Sequence, residues 1–446
     1  MFKGITNFFD RMVQRFLPDA FLFAVLLTFL VLAAGIIFTN NSPLEMVEHW
    51  GSGFWGLLEF AMQMSLIVVT GYILANTPVV KRLLKKISSL AKTPGQAIIL
   101  VTIVALIACL INYGFGLVVG ALLAIQVAKS VPKVDYRLLM ASAYSGFLVW
   151  HGGLSGSIPL TVATEGHFLE EQMGVMPVTE TLFSPANLFI LLVICITLPI
   201  LNWYLLKTRS PLDYTPAPSH IIEEEAEEEK KNENIKESRV TPAERLENSQ
   251  VISLLIGILG MCFVVYHFVQ NGFDLNLNIV NFTMLFLGIL LHRTPRNFLN
   301  STTDAVKNAG AIIIQFPFYA GIMGMMDSSG MSQAISEWFV GMATAETLPW
   351  FSFIAAGIMN FFIPSGGGQW AIQGPIMIPA AAALDADTAK TIMGVAWGDA
   401  WTNMIQPFWA LPLLAIAGLK IKDIMGFCMI ILLFSFIPIS IGLLFF

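Results

Sequence analysis

Charge is scarce in this sequence: Asp, Glu, Lys and Arg together make up 12% of its 446 residues, against about a quarter in an average globular chain. With 56% of residues hydrophobic and a mean hydropathy of +0.73, a soluble fold would leave apolar surface it could not hide. Cysteine is sparse too. Cys109, Cys195, Cys262 and Cys428 each sit in an apolar run, without CxxC spacing or a neighbouring histidine, which argues against structural disulfides and zinc. There is no HExxH, no nucleophile elbow and no GxxxxGK[ST] phosphate loop. An enzyme and an ATP-driven pump are therefore both disfavoured. The net charge of −6 comes largely from one acidic stretch and implies no nucleic-acid partner.

What is present is a series of apolar runs of membrane length, with room for roughly a dozen spans of about 20 residues. Lys3, Arg11 and Arg15 precede an apolar run from Ala20 to Phe38, too long for a signal-peptide core and without an A-x-A exit. It reads as a retained first span with the N-terminus cytoplasmic. Lys and Arg collect again at Lys81 to Lys92, Lys129 to Arg137, Lys207 to Arg245, Arg293 to Lys307, and Lys420 with Lys422. By the positive-inside rule these face the cytoplasm. Asn40 to Trp50, Thr164 to Thr181, Asn271 to Asp274 and Asp327 to Pro349 hold no Lys or Arg and face outward.

These constraints predict spans at about Ala20 to Phe38 and Phe60 to Asn76, then a basic amphipathic stretch on the inner surface. Gln96 to Ala128 has both ends on the inner side and an interruption at Asn112-Tyr113-Gly114, so it reads as a re-entrant hairpin. A broken span from Leu138 to Ala163 and a plain one from Asn187 to Leu206 follow. The segment 207–250, with EEEAEEEKKNENIKES at its centre, cannot support a core and reads as a cytoplasmic linker. After a connecting span at Val251 to His267 the order returns. There are spans near Asn278 to Leu291 and Ala309 to Met326, an amphipathic stretch through Glu337, a hairpin from Pro349 to Ala383, a broken span from Thr391 to Leu419, and a last span.

Gln63 and Gln315, Asn112 and Asn360, and Trp150 and Trp401 are each separated by about 250 residues, which with the matching order argues for duplication. The second hairpin is entered from the outside. The expected fold is thus an all-α integral membrane protein of two inverted repeats, each with a re-entrant hairpin and a broken transmembrane helix. Residues 1–206 form the first repeat, 207–250 the acidic linker, and 251–446 the connecting span and second repeat.

Helix-breaking sequence at membrane depth persists only where it lines a cavity or is packed in protein. Four such breaks occur: Asn112 to Gly116, His151 to Ser157, Pro364 to Gln369, and Trp401 to Asn403 leading to Gln406-Pro407. The three glycines after Pro364 are expected to keep the chain unwound. Helix N-termini at a gap offer free N–H groups and a positive dipole end to a carboxylate. No Lys or Arg lies within the hairpins or broken spans, so an anionic cargo would be held by amides and hydroxyls. Asn112, Gly114, Ser155, Ser157, Asn360, Ser365, Gly366, Gly367, Thr402 and Asn403 are the substrate-binding candidates. Asp399 is the one carboxylate placed deep in a span, either an ion carrier or a helix cap. His151 is either proton-sensitive or a hydrogen-bonded packing residue. Together they are the ion-coupling candidates.

The sequence resembles the short-chain fatty acid transporter family. The residues that carry this are Trp50-Gly-x-Gly-Phe-Trp55, Phe60-Ala-Met-Gln-Met, Asn112-Tyr-Gly-Phe-Gly-Leu-Val-Val-Gly-Ala, Gln315-Phe-Pro-Phe-Tyr-Ala-Gly, Pro364-Ser-Gly-Gly-Gly-Gln-Trp with Gln373-Gly-Pro, and Gln406-Pro-Phe-Trp-Ala-Leu-Pro. They span the chain apart from the acidic linker. The resemblance implies a multi-pass carrier of the bacterial inner membrane for monocarboxylates such as butyrate or acetoacetate, within the ion-transporter superfamily, whose members have paired hairpins and a moving substrate domain and are commonly dimers. The expected function is cation-coupled secondary transport of a short-chain carboxylate by elevator-type alternating access, in a homodimer within the lipid bilayer. No cofactor or metal is expected beyond a coupling H+ or Na+. A carrier of C4-dicarboxylates or another organic anion is the alternative, and a channel a further one. One carboxylate is favoured over two by the lack of a basic residue in the gaps.

Overall fold

The computed structural model of the protein describes residues 20–446 except 132, 210–211, 213, 220, 222–240 and 407. The basic N-terminal residues that set the expected orientation, the centre of the acidic segment and Pro407 lie outside the described residues. Every regular element among the described residues is helical.

The first half runs α1 (Ala20–Phe38), α2 (Pro43–Gly53), α3 (Leu58–Ala75), α4 (Pro78–Ser88), α5 (Pro94–Ile111) and α6 (Tyr113–Ser130). Then come α7 (Tyr136–Ser145), a 3-10 turn at Gly146–Gly152, α8 (Ser157–Val162) and α9 (Pro185–Lys207). The second half runs α10 (Gln250–Asn271), α11 (Leu277–His292), α12 (Pro295–Val306), α13 (Gly310–Ser328), α14 (Met331–Met342) and α15 (Leu348–Met359). It ends with α16 (Gly366–Leu384), α17 (Thr388–Thr402), α18 (Ala410–Ala417) and α19 (Ile421–Phe445). Eight of the described helices are long and apolar enough to cross a membrane. The protein is a multi-pass membrane protein.

A recurring local signal starts the helices. At Ser42-Pro43, Thr77-Pro78, Thr93-Pro94, Ser184-Pro185 and Thr294-Pro295 the hydroxyl accepts the N–H three residues on, from Glu45, Val80, Gln96, Asn187 and Asn297. Proline fits the first helical position because that N–H has no partner within the helix. Each cap contributes about 1 kcal/mol. Because it also fixes where the chain re-enters a helix, it defines the length of the turn before it.

Both long apolar stretches expected to fold back do so. α5 and α6 are separated by one extended residue, Asn112, whose Oδ1 accepts the Phe115 N–H at 2.8 Å. α15 and α16 are separated by residues 360–365, and the expected broken spans are interrupted at 153–156 and, among the described residues, at 403–406 and 408–409. One expectation is corrected. The three glycines after Ser365 are not unwound but form the first turn of α16, with the Ser365 hydroxyl accepting the Gly368 N–H at 3.4 Å. Glycine serves there to admit neighbours: a Cβ on Gly367 or Gly368 would stand 2.8 Å from Phe60 Cζ or 2.6 Å from Tyr319 Cδ2.

α3 lies against both turns. Near its C-terminal end a Cβ on Gly71 would come 2.6 Å from the Phe115 amide, while Phe60 and Met64 near its start face Gly367. α11 braces α3 from the other side, with Asn281 Nδ2 donating to the Gln63 carbonyl at 2.9 Å and His292 Nε2 2.9 Å from the Ile73 carbonyl. α15 and α17 approach so closely that a Cβ on Gly398 would stand 2.5 Å from that of Ala356. Small residues let membrane helices reach such separations, where dispersion and interhelical hydrogen bonds hold them.

Candidate functional site

The four breaks are tied in pairs, and the pairs to each other. At the first hairpin, the Tyr113 amide donates to Ser155 Oγ at 2.9 Å and the Leu154 amide to the Leu110 carbonyl at 2.7 Å, so the interrupted span is stitched to the turn at Asn112. Asn112 Nδ2 reaches the Ile67 carbonyl of α3 at 3.5 Å. At the second hairpin Asn360 Nδ2 donates to the Asp399 carbonyl, to Thr402 Oγ1 and to Asn403 Oδ1 at 3.0, 3.0 and 3.1 Å. These bonds satisfy backbone and side-chain groups that a helix interruption leaves without partners.

Between the pairs lies one ionisable couple. His151 Nε2 is 3.1 Å from Asp399 Oδ2, both side chains being fully buried. Asn403 Nδ2 donates to the same carboxylate oxygen at 3.0 Å. Above them sits the start of α16: a Cβ on Gly366 would fall 2.6 Å from His151 Cε1 and 2.7 Å from Ser157 Oγ. Tyr144 closes the far side, its hydroxyl donating to the Asn403 carbonyl at 2.6 Å. An aromatic wall stands beside the couple, with the Trp150 ring 3.6 Å from that of His151, and Tyr113 and Phe147 packed on Trp150.

The sequence candidates therefore divide. Asn112, Ser155, Asn360, Thr402 and Asn403 are engaged in holding the breaks together, and Ser365 caps α16. Gly114 packs on α3, 3.2 Å from Val68 Cα for a Cβ placed there. Ser157, Gly366, His151 and Asp399 come together, whereas Gly367 faces Phe60 and Met64. Among the buried polar atoms without a hydrogen-bond partner are His151 Nδ1, Ser157 Oγ, Asn360 Oδ1, Gln369 Oε1 and Asp399 Oδ1. Leaving such a group unmade costs about 1–3 kcal/mol. A cluster of them is what a polar ligand or ion would satisfy.

Residues not singled out as site candidates also support the couple. Asn187 Nδ2 donates to the Gly152 and Leu182 carbonyls at 3.2 and 2.6 Å, and its Oδ1 accepts Trp397 Nε1 at 3.0 Å, so one side chain links α9, the break beginning at His151 and α17. Gln369 Nε2 donates to the Ala356 carbonyl and to Gln373 Oε1, pinning α16 to α15. Among the described residues no three of His, Cys, Asp or Glu gather as a metal site.

The model of the family described as short chain fatty acid transporter matches residues 1–446. The chain belongs to the short-chain fatty acid transporter family. It is 46% identical over 443 residues to an Escherichia coli protein named as a candidate short-chain fatty acid transporter, covering 99% of each chain. A Haemophilus influenzae protein of the same description is 43% identical over 456 residues, covering the whole of both chains. Among solved structures the fold is similar to that of the Alcanivorax borkumensis YdaH transporter, with a TM-score of 0.57, 14% identity, and coverage of 95% of this chain and 98% of that one. In this chain the buried His151–Asp399 couple lies beneath the N-terminus of α16.

Proposed function

We propose that the chain carries short-chain monocarboxylates of the butyrate or acetoacetate kind across the bacterial inner membrane, coupled to H+ or Na+. The observation that carries this reading is the seating of the Gly366–Gly368 helix start over Ser157 and the His151–Asp399 couple. Free N–H groups and the dipole at that helix start attract one carboxylate. Ser157 Oγ offers a hydroxyl beside them. The Asp399 carboxylate would repel the cargo at this range unless a cation accompanied it. Coupling is thus a consequence of the charges, with Asp399 the ion carrier and His151 its partner.

The paired hairpins and the way α3 faces both turns support elevator-type alternating access, in which the hairpins and broken spans move past α3, α11 and α13. The recurring order of elements supports two inverted repeats, residues 1–206 and 251–446, joined by the 207–250 linker; the distribution of Lys and Arg supports a cytoplasmic N-terminus, and the family resemblance a homodimer. Ser157, Gly366 and Gly367 contact cargo, and Asn112, Gly114, Ser155, Asn360, Ser365, Thr402 and Asn403 hold the unwound backbone in place. A C4-dicarboxylate would need a second cationic partner that this cluster lacks. The test is uptake of labelled butyrate and succinate into proteoliposomes under imposed pH or Na+ gradients. Saturable, gradient-driven butyrate flux with counterflow is expected, and succinate flux without butyrate flux would overturn the reading.

A further inference from the structure

A cavity of about 150 Å3 opens at the end of α3 opposite the basic helix α4, lined among others by Phe60, Gln63, Thr161, Thr164, His167 and Phe168. Its relation to the site is close. Phe60 lines it with one edge and meets the tip with another, since a Cβ on Gly367 would stand 2.8 Å from Phe60 Cζ and 3.3 Å from Met64 Sδ. Thr161 lines it from α8, and one turn earlier on that helix Ser157 faces Gly366. Three rings converge on the dividing wall: Phe60 to Phe168 at 5.4 Å and Phe60 to Phe316 at 5.5 Å between centroids, both at steep interplanar angles. The cavity and the glycine helix start are thus separated by one aromatic side chain, itself 6% exposed.

We infer that this cavity is the outer vestibule for cargo and that Phe60 is its gate, the side chain that sets how long an acyl chain reaches the tip. The inference rests on the carrier reading given above and deepens it. Glu59 and Glu165 also line the cavity, both exposed, so a bare carboxylate is repelled there and cargo enters charge-compensated. Gln63 and the apolar faces of Phe60, Phe168 and Leu277 suit a small amphipathic acid of a few carbons. Longer chains meet the Phe60 ring before their carboxyl reaches Gly366.

The experiment compares uptake of acids of two to eight carbons by the full chain in proteoliposomes, for the wild type, Phe60→Leu, Phe60→Ala and Phe60→Trp. Discrimination by one methylene in an apolar pocket is roughly tenfold. The smaller side chains should therefore raise the relative rate for hexanoate and octanoate about tenfold or more while butyrate flux persists, and the larger one should confine transport to the shortest acids. Independently, Gln63→Cys, at a half-buried position lining the cavity, in a chain whose four native cysteines are replaced should react with a membrane-impermeant maleimide, and butyrate should slow that reaction. Wild-type flux with an unchanged length profile in the leucine variant, or labelling that butyrate leaves unaltered, overturns the gate. Absence of flux for every acid in the wild type, with the protein monodisperse, overturns the carrier reading itself.

Discussion

His151 and Asp399, 248 positions apart in the chain, meet at 3.1 Å in a fully buried contact between the two broken spans. Both side chains are fully buried, and each retains an unpartnered polar atom, Nδ1 and Oδ1. A buried couple with spare capacity differs from a saturated structural ion pair, because it can accept one more proton or ion without losing what holds it.

Replacing Asp399 by Asn keeps the shape and the hydrogen bond from Asn403 but removes the charge that makes a cation obligatory. Concentrative butyrate uptake should be lost while counterflow exchange continues. Accumulation at the wild-type level under the same gradient would remove Asp399 from the coupling step. His151→Gln, which removes the ring that faces the carboxylate, should lower the rate by roughly ten- to a hundredfold, as a buried hydrogen bond to a charged group is worth about 1.5–3 kcal/mol.

Gly366 tests the seat from above. An added methyl would fall 2.6 Å from His151 Cε1 and 2.7 Å from Ser157 Oγ, so Gly366→Ala should displace the couple, and Gly367→Val should push on Phe60. Both variants should lose cargo binding in a thermal-shift or scintillation proximity assay while remaining monodisperse in detergent. Retained affinity in both would place the cargo elsewhere.

Much of this arrangement was legible in the chain, and the reasons it was not entirely so are physical. The hairpin expected over Gln96 to Ala128 is found as Pro94–Ser130, broken at Asn112, because a polar residue between two apolar runs with both flanks basic leaves few other solutions. The break from His151 to Ser157 is visible for a different reason, three glycines and two serines within seven residues of an otherwise apolar span. Three glycines predict a stop, yet a serine cap and tight packing suffice to begin α16 there, tertiary contacts overriding a weak local preference. The lack of Lys and Arg from Asn40 to Trp50 predicts only an outward-facing stretch, although the Ser42–Glu45 capping box marks the start of α2. Asn187 was invisible as a site support because its partners Gly152 and Trp397 lie 35 and 210 positions away. No local pattern announces a bond of that kind.

Gly398 gives a prediction about packing alone. A Cβ there would stand 2.5 Å from Ala356 Cβ and 3.0 Å from the Gly357 amide, so Gly398→Ala must force α15 and α17 apart. Overpacking of this sort costs about 1–3 kcal/mol. The apparent melting temperature in detergent should fall, whereas Gly341→Ala on α14, where nothing lies within 4 Å, should leave it unchanged. Equal behaviour of the two variants would mean that the helix contact is looser than described.

The loop between α8 and α9 should respond to pH through His167. Its Nε2–H donates to the Gly174 carbonyl at 3.1 Å, and its Nδ1 accepts the Leu169 amide at 3.3 Å, so the neutral ring holds the loop closed from both sides. Burial pushes this imidazole below the usual histidine range, against the opposing pull of the Gly174 carbonyl and Glu170. The opened loop therefore binds a proton more readily than the closed one, and closure is fully favoured above about pH 6.5 and weakens as the pH falls below it. Protonation at Nδ1 also removes the acceptor that the Leu169 amide uses. Hydrogen exchange across residues 164–174, corrected for intrinsic rate, should be slow at neutral pH and faster in mild acid, and His167→Gln should flatten that difference. An exchange profile in the wild type that does not move with pH would show that the ring is not what keeps this loop over the vestibule.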